Sequence, residues 1–271
     1  MSAGARALVL MYHQIESEAP RRPKAAKTLS DPRYGLSPSA FKEQMALLRA
    51  VDLPVVGIGE FLSGESGRGA PPLSIVVTFD DGYASDWEQA APILVKYEIP
   101  ATFFLTTGLL GNPGMLTPPQ VRELASSPLL SLGSHGVTHR FLSHISEEEC
   151  ASELRESLES LRFLGGPGPY SLSAPGGRTN GRVEACARRA GYQSLFTSRA
   201  GVFRRGENLF SIPRLPVMNG WSIGEFRRFI DPGSVPFFVN RWSRSAKAAI
   251  RAGLEFPRTS TVKEAPDSGR S

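Results

Sequence analysis

The stretch Ser74–Gly82, Ser-Ile-Val-Val-Thr-Phe-Asp-Asp-Gly, decides the fold class of this 271-residue chain. β-branched and aromatic residues dominate its first six positions, which predicts a buried strand. The strand ends at two adjacent carboxylates and a glycine that permits a tight turn. Strand-like and helical segments alternate from about residue 74 to 197. We therefore expect an α/β fold built around a parallel sheet.

Short apolar runs on both sides of this stretch predict further strands. These strands lie at 7–13, 101–106, 129–133, 171–174 and 192–197. Helical spacing of apolar residues predicts helices at 38–48, 85–97, 180–190 and 222–230. Capping boxes, in which a Thr or Ser is followed three positions later by Gln or Glu, predict two more helices beginning after Thr117 and Ser146. Loops are predicted at 14–35 and 63–72, where Pro, Gly, Ser and charged residues collect.

Two helices carry more specific expectations. The helix after Ser146 should bury a stripe formed by Cys150, Leu154, Leu158, Leu161 and Leu164. The helix at 85–97 should be kinked by Pro92, should bear Asp86 as a favourable first-turn charge, and should bury Trp87, Ala91, Leu94 and Val95 on one face.

Composition places the chain among ordinary globular proteins, with 41% hydrophobic and 21% charged residues. One domain is expected over residues 1–256, followed by a disordered tail at 257–271. The formal net charge of +5 comes without a Lys/Arg block or a nucleic-acid motif, so no nucleic-acid partner is predicted. A solvated basic surface explains the excess, and an anionic polymer, nucleotide-sugar or membrane surface is the alternative. The oligomeric state stays open.

Cysteine content and hydropathy indicate the compartment. Cys150 and Cys186 form no C-x-x-C pair, which favours buried reduced thiols over a disulfide framework. The apolar run Ala7–Met11 is too short for a signal peptide, and no stretch approaches the roughly 18 apolar residues that a membrane span needs. The expectation is a soluble cytoplasmic protein without a transmembrane segment.

Three predicted strand ends carry the residues that suggest chemistry: Asp80-Asp81, the pair His135 and His139, and Pro175-Gly176-Gly177. Active sites of parallel α/β folds collect at the carboxyl ends of strands. Adjacent carboxylates repel unless a cation intervenes, so one Asp can bind a metal while the other stays free as a base. Histidines four residues apart present both rings to one ion when the backbone turns as a helix does. Two imidazoles and one carboxylate leave positions open for water and substrate.

Taken together, these motifs resemble the polysaccharide deacetylase (NodB-homology) family. The matching segments are Thr78–Gly82, Pro100–Leu105 and Ser134–His139, and the resemblance extends from about residue 7 to 230. It implies a distorted (β/α) barrel of about seven parallel strands. It also implies a hydrolase of non-peptide carbon–nitrogen bonds that removes N-acetyl, or else O-acetyl, groups from an amino-sugar-containing carbohydrate or glycoconjugate.

The resemblance implies a role for each matching residue. Asp81, His135 and His139 correspond to metal ligands, with zinc as the expected ion and cobalt, nickel, manganese and iron as alternatives. Asp80 corresponds to the general base that activates a metal-bound water. The amide of Gly176, in the segment Ser173–Gly177, corresponds to a donor that stabilises the oxyanion.

The chain departs from the family pattern at two places. Ser173 stands where many members have an Arg that orients the base, and Arg178 is too far along the turn to be a secure replacement. The late Leu-x-His motif, which supplies the usual general acid, is missing, and the comparable segment Leu209–Val217 offers Arg214 instead. His13 is the expected replacement acid, because the Met-Tyr-His ending of the first strand resembles that of poly-N-acetylglucosamine deacetylases.

Two alternatives remain at this point. The same chemistry could act on a small amide or on a nucleotide-linked or lipid-linked sugar. A member that binds carbohydrate without hydrolysing it is the second alternative, which Ser173 and the missing late histidine motivate.

Overall fold

A computed structural model describes residues 6–15, 32–63, 73–165, 168, 170–231 and 233–234. Most of the predicted loops at 14–35 and 63–72, and the whole predicted tail at 257–271, lie outside the described residues. The extent of the single domain predicted for residues 1–256 stays a prediction.

Eight strands form one curled sheet, and six of them are those that the sequence predicts. They are β1 Arg6–Tyr12, β2 Ser74–Phe79, β3 Ala101–Leu105, β4 Leu130–Ser134, β5 Ser171–Ser173, β6 Ser194–Phe196, β7 Phe203–Arg204 and β8 Leu215–Pro216. Their order is β6-β5-β4-β3-β2-β1-β7, with β8 also paired to β1. All neighbours are parallel except β7, which runs antiparallel to β1. The predicted α/β barrel of parallel strands is therefore confirmed, with one short antiparallel addition.

Helices cover the outside of the sheet. They are α1 Pro38–Ala50, α2 Ile58–Ser63, α3 Ala91–Lys96, α4 Pro118–Ser126, α5 Glu147–Phe163, α6 Gly181–Ala190 and α7 Ile223–Ile230. The capping boxes at Thr117 and Ser146 are both formed, and Ser222 with Glu225 makes a third at the start of α7. The stripe predicted for α5 is buried along its whole length. No helix in the described ranges is long and apolar enough to cross a membrane.

Alternation along the strands separates two apolar regions. Even-numbered β1 residues such as Leu8 and Leu10 pack toward the helices in the larger cluster. Odd-numbered residues such as Ala7 and Val9 join Phe104 and Phe196 in a smaller cluster enclosed by the sheet. Because side chains alternate between the two faces of the sheet, only every second residue near a strand end can face the enclosed side.

The segment 209–217 closes the curled sheet between its first and last parallel strands. Leu195 on β6 donates its N–H to Leu209, and Ile212 donates back to Leu195 at 2.9 Å. At the other end β8 pairs with β1, and the N–H of Val217 bonds to the carbonyl of Met11 at 3.0 Å. The middle of this segment therefore lies beside both β6 and β1.

The helix predicted at 85–97 differs from expectation. It contains a π-helical turn at Asp86–Ala90 before α3, and Pro92 lies in the first turn of α3 rather than kinking a continuous α-helix. The wider turn shifts the following side chains around the axis, so Val95 is 48% exposed while Leu94 is buried. Asp86 lies in the first turn of this helical segment, where a favourable charge was predicted, and it is fully buried.

Candidate functional site

Strand geometry brings the predicted residues to one end of the sheet. Asp80, His135 and Ser173 lie at or directly after the carboxyl ends of β2, β4 and β5, and all three are buried. In the two-residue alternation of their strands, these three positions fall on the same side of the sheet as the enclosed cluster, as Ala7 and Val9 do in β1. The sheet therefore gathers residues that are up to 93 positions apart.

Asp81 and His139 owe their placement to unusual backbone conformations. Strict alternation would turn Asp81 away from Asp80, but Asp81 has φ +81°, which rotates its side chain toward the same end. His139 has φ +62°, also in the left-handed region that side-chain-bearing residues seldom adopt. Backbone strain of this kind persists only where the surrounding structure enforces it, and it is concentrated at functional sites.

Asp81, His135 and His139 form the one cluster in the described part of the chain whose side chains could jointly hold a metal ion. Asp81 Oδ1 lies 3.5 Å from His135 Nε2 and 3.2 Å from His139 Nε2. Ligands about 2.0–2.2 Å from a tetrahedral ion lie about 3.3–3.6 Å apart, so these separations fit a zinc-like site. Asp81 Oδ2 is buried and finds no hydrogen-bond partner among the described residues, which also fits a place for a cation.

The two histidines of this cluster have different surroundings. His135 Nδ1 lies 2.8 Å from the carbonyl oxygen of Ser173 and donates to it when protonated, which leaves Nε2 free as a ligand. Burial lowers the pKa of His135 to about 4, so the ring is neutral at pH 7. Burial also acts to lower the pKa of His139, but the hydrogen bond and charge of Asp81 outweigh it and the pKa is raised.

Asp80 is not part of the cluster but forms a buried ion pair with Arg214. Arg214 Nη1 donates to Asp80 Oδ1 and Nη2 to Oδ2, both at 2.7 Å, which is a bidentate geometry. Nη2 also donates to Ser173 Oγ at 2.7 Å, and that hydroxyl donates to Asp80 Oδ2 at 3.2 Å. Burial opposes ionisation of Asp80, yet the charge of Arg214 prevails and holds the pKa of Asp80 well below its ordinary value.

Arg214, rather than a residue at position 173, supplies the guanidinium that pairs with Asp80. Arg214 belongs to the closing segment 209–217, is fully buried, and donates through Nε to the carbonyl of Thr197 at 3.1 Å. It orients Asp80 from that segment, and Ser173 supplies a small hydroxyl between the two. Arg178 does not reach Asp80: it is exposed and lies over the ring of Phe141 at 4.7 Å.

His13 follows β1 at the same end of the sheet. Its ring stacks on Tyr34, with 4.7 Å between ring centroids and 15° between planes. Nδ1 is buried and has no hydrogen-bond partner among the described residues. Burial lowers the pKa of His13, and the charges of Asp81 and Asp80 partly oppose that shift.

Gly176 lies in a turn after β5 that excludes larger residues. It has φ +63°, and a Cβ there would lie 2.5 Å from the ring of Phe141. The next residue, Gly177, donates its N–H to the carbonyl of Ala174 at 2.7 Å and packs against Ser198. Gly176 itself is exposed, so its backbone is accessible from outside the turn.

The fold and this site together define a class of protein. It is a curled α/β barrel that carries, at the carboxyl ends of its strands, an Asp-His-His cluster that could hold a metal ion and a separate ionised Asp.

Comparison with known proteins shows which proteins of that class the chain is similar to. Residues 67–195 match the family model described as polysaccharide deacetylase. The chain is 28% identical over 269 aligned residues to a poly-beta-1,6-N-acetyl-D-glucosamine N-deacetylase of Escherichia coli (strain K12), with 82% of this chain and 38% of the relative covered. A protein of the same name from Staphylococcus epidermidis is 26% identical over 232 residues, with 79% of each chain covered. Over residues 67–195 the chain is therefore similar to polysaccharide deacetylases.

A solved structure shares the fold. The deacetylase PplD of Streptococcus pyogenes, solved in complex with acetate, superposes with a TM-score of 0.73 at 24% identity, covering 84% of this chain and all of that one. The chain spans about half the length of the first curated relatives that it matches, 56% of one and 38% of another.

Proposed function

We propose that this protein is a metal-dependent N-deacetylase of an amino-sugar-containing carbohydrate, and that its substrate is a poly-N-acetylglucosamine. The observation that carries the proposal is the pairing of two distinct sites at one end of the barrel. One is the ligand cluster Asp81, His135 and His139, and the other is Asp80, held ionised by Arg214. Two of the curated relatives bear the name of deacetylases of this polymer, which supports the substrate class.

The residues present fit a divalent metal, and we propose zinc because two imidazoles and one carboxylate at these separations suit it. When bound, such an ion supplies Lewis acidity that polarises the amide carbonyl and lowers the pKa of water. Asp81, His135 and His139 would hold it, with His135 oriented by the carbonyl of Ser173.

Asp80 is the general base of the proposed reaction. It accepts the proton of the water that attacks the acetamide carbonyl. Arg214 keeps the Asp80 carboxylate ionised and fixes its plane by two parallel hydrogen bonds. Of the hydrogen bonds described above, Oδ2 accepts two and Oδ1 accepts one, so Oδ1 keeps a second lone pair that can accept a hydrogen bond from water.

Gly176 acts on the negative charge of the oxyanion, and His13 acts on the leaving amine. The Gly176 amide donates to the oxyanion that forms as the carbonyl carbon becomes tetrahedral. His13 donates a proton to the leaving amine, since an unprotonated amide nitrogen is a poor leaving group. Burial lowers the pKa of His13, the charges of Asp81 and Asp80 offset part of that shift, and stacking on Tyr34 holds the ring in place.

Removal of the metal should abolish deacetylation and its return should restore it. We expect acetate release from N-acetylglucosamine oligomers to stop after chelation and to recover with zinc, because the carbonyl is no longer polarised in the metal-free protein. Acetate is measured by a coupled enzymatic assay. Nucleotide-linked and lipid-linked N-acetyl sugars serve as competing substrates, and release from these alone would overturn the polymer proposal. Undiminished activity in chelated, metal-free protein would overturn the metal dependence.

Replacing His13 with Gln should slow the hydrolysis of an amide much more than the hydrolysis of an activated ester. We expect kcat for N-acetylglucosamine oligomers to fall by ~10²–10⁴-fold, because the amine leaves unprotonated. Hydrolysis of 4-nitrophenyl acetate should change little, because its phenolate departs without a proton. Equal losses on the amide and the activated ester would show that His13 is not the general acid.

A further inference from the structure

The loop that carries the two histidines needs outside support. Between Ser134 and His139 the chain adopts positive φ at Gly136 (+79°) and at His139 (+62°). The second of these is unfavourable for a residue with a side chain. A metal ligand in that conformation requires contacts that fix the backbone immediately before it.

Glu153, on the second turn of α5, supplies those contacts from one side. Its Oε2 accepts the N–H of Val137 at 2.8 Å and the N–H of Thr138 at 3.0 Å. Its Oε1 accepts the hydroxyl of Thr138 at 2.5 Å. The two residues held in this way are those that precede His139.

The same helix and the neighbouring strand hold the rest of the loop. Ser157, one turn further along α5, lies 2.8 Å from the hydroxyl of Ser134, and that hydroxyl accepts the N–H of Gly136. After β3, the N–H groups of Thr107 and Gly108 bond to the carbonyls of Gly136 and Val137, both at 3.0 Å. The loop is thus clamped between α5 and the end of β3.

The environment of Glu153 indicates that its carboxylate group holds this loop by hydrogen bonds. The residue is buried, with 8% exposure, and in the described part of the chain it forms no ion pair with a Lys or Arg. Among the residues that the structure describes, the donors of Val137 and Thr138 satisfy its carboxylate. A buried carboxylate is costly unless its partners are well placed, so the loop and Glu153 must be fixed together.

We propose that Glu153 is a positioning residue that holds His139 in its metal-binding conformation. The inference rests on the proposed function, because it assigns the ion held by His139 to that site. Glu153 touches neither the ion nor the substrate; it acts through the backbone of residues 137 and 138.

The test compares Glu153→Gln with Glu153→Ala, using Glu159→Gln as a matched control because Glu159 is exposed on the same helix. Zinc affinity is measured by competition with a chromophoric chelator, at a temperature where circular dichroism shows every variant folded. We expect zinc binding to weaken ~10-fold in Glu153→Gln and ~100-fold in Glu153→Ala, the range typical for partners of metal ligands. Glu159→Gln should bind zinc like the wild type. Saturating zinc should restore the activity of Glu153→Gln.

A purely structural role for Glu153 would lower the melting temperature of both variants without weakening zinc binding at the lower temperature, and that result would overturn the inference. Zinc binding by the wild-type protein distinguishes a failure of this inference from a failure of the proposed function. Absence of zinc binding in the wild type would overturn the metal site itself, and the inference with it.

Discussion

Replacing Asp80 with Asn should nearly abolish deacetylation while leaving zinc binding intact. We expect kcat on N-acetylglucosamine oligomers to fall by ~10²–10⁴-fold, because the amide cannot take a proton from the attacking water. Zinc affinity should persist because the three predicted ligands do not include Asp80. Acetate release and chelator competition on the same preparation measure the two effects separately.

Asp86→Asn is the matched control for this variant. Asp86 is buried at the same end of the barrel, and burial together with the charges of Asp81 and Asp80 raises its pKa well above the ordinary value. The raised pKa favours the neutral form of this carboxyl group, so we expect conversion to a neutral amide to leave kcat close to that of the wild type. Full activity in Asp80→Asn, or equal losses in both variants, would contradict the assignment of Asp80 as the base.

Local sequence signals predicted most of the secondary structure because they act over a few residues. The six longer strands and the capped helices α4 and α5 depend on β-branched runs and on side chains that bond to backbone groups three positions away. The grouping of Asp81, His135 and His139 was also predictable, since all three lie at or after strand ends. Their positive φ angles were not, because neither Asp81 nor His139 is a glycine and the strain depends on distant contacts.

The role of Arg214 could not be predicted from the sequence. It bonds to a carboxylate 134 residues earlier in the chain, and it lies in a segment without regular periodicity. The sequence offered two indirect hints, both departures from the family pattern: Ser173 stands where many members have an Arg, and the late histidine is missing. Only the closure of the sheet by residues 209–217 brings Arg214 to Asp80.

Asp86 shows a different limit of sequence reasoning. An acidic residue in the first turn of a helix is usually a favourable charge, which was the prediction for Asp86. The π-helical turn that begins at Asp86 changes the direction of the side chains that follow, and Asp86 is buried with neither carboxyl oxygen bonded to a described residue. Helical periodicity assumes a constant twist and cannot anticipate this local change.

Arg214→Met should destabilise the protein more than any surface substitution. Removing one partner of a buried ion pair leaves an uncompensated charge, so we expect the free energy of unfolding at pH 7 to fall by ~3–5 kcal/mol. Asp80 would also lose its fixed orientation, and kcat should fall. Urea unfolding of the metal-free protein measures the stability, and the double variant Asp80→Asn with Arg214→Met should recover much of the loss because neither charge remains.

The pH dependence of this loss tests the cause. In the wild type the pKa of Asp80 lies below its ordinary value of 3.8, so the pair stabilises the protein above about pH 4 and that stabilisation declines as the pH falls further. In Arg214→Met, burial without the guanidinium should raise the pKa of Asp80, so acid neutralises the stranded charge and relieves its cost. The difference in unfolding free energy between the two proteins should therefore narrow as the pH falls from 7 toward 4. A difference that stays constant over this range would mean that Arg214 stabilises the barrel through its packing and its bond to Thr197 rather than through the charge of Asp80.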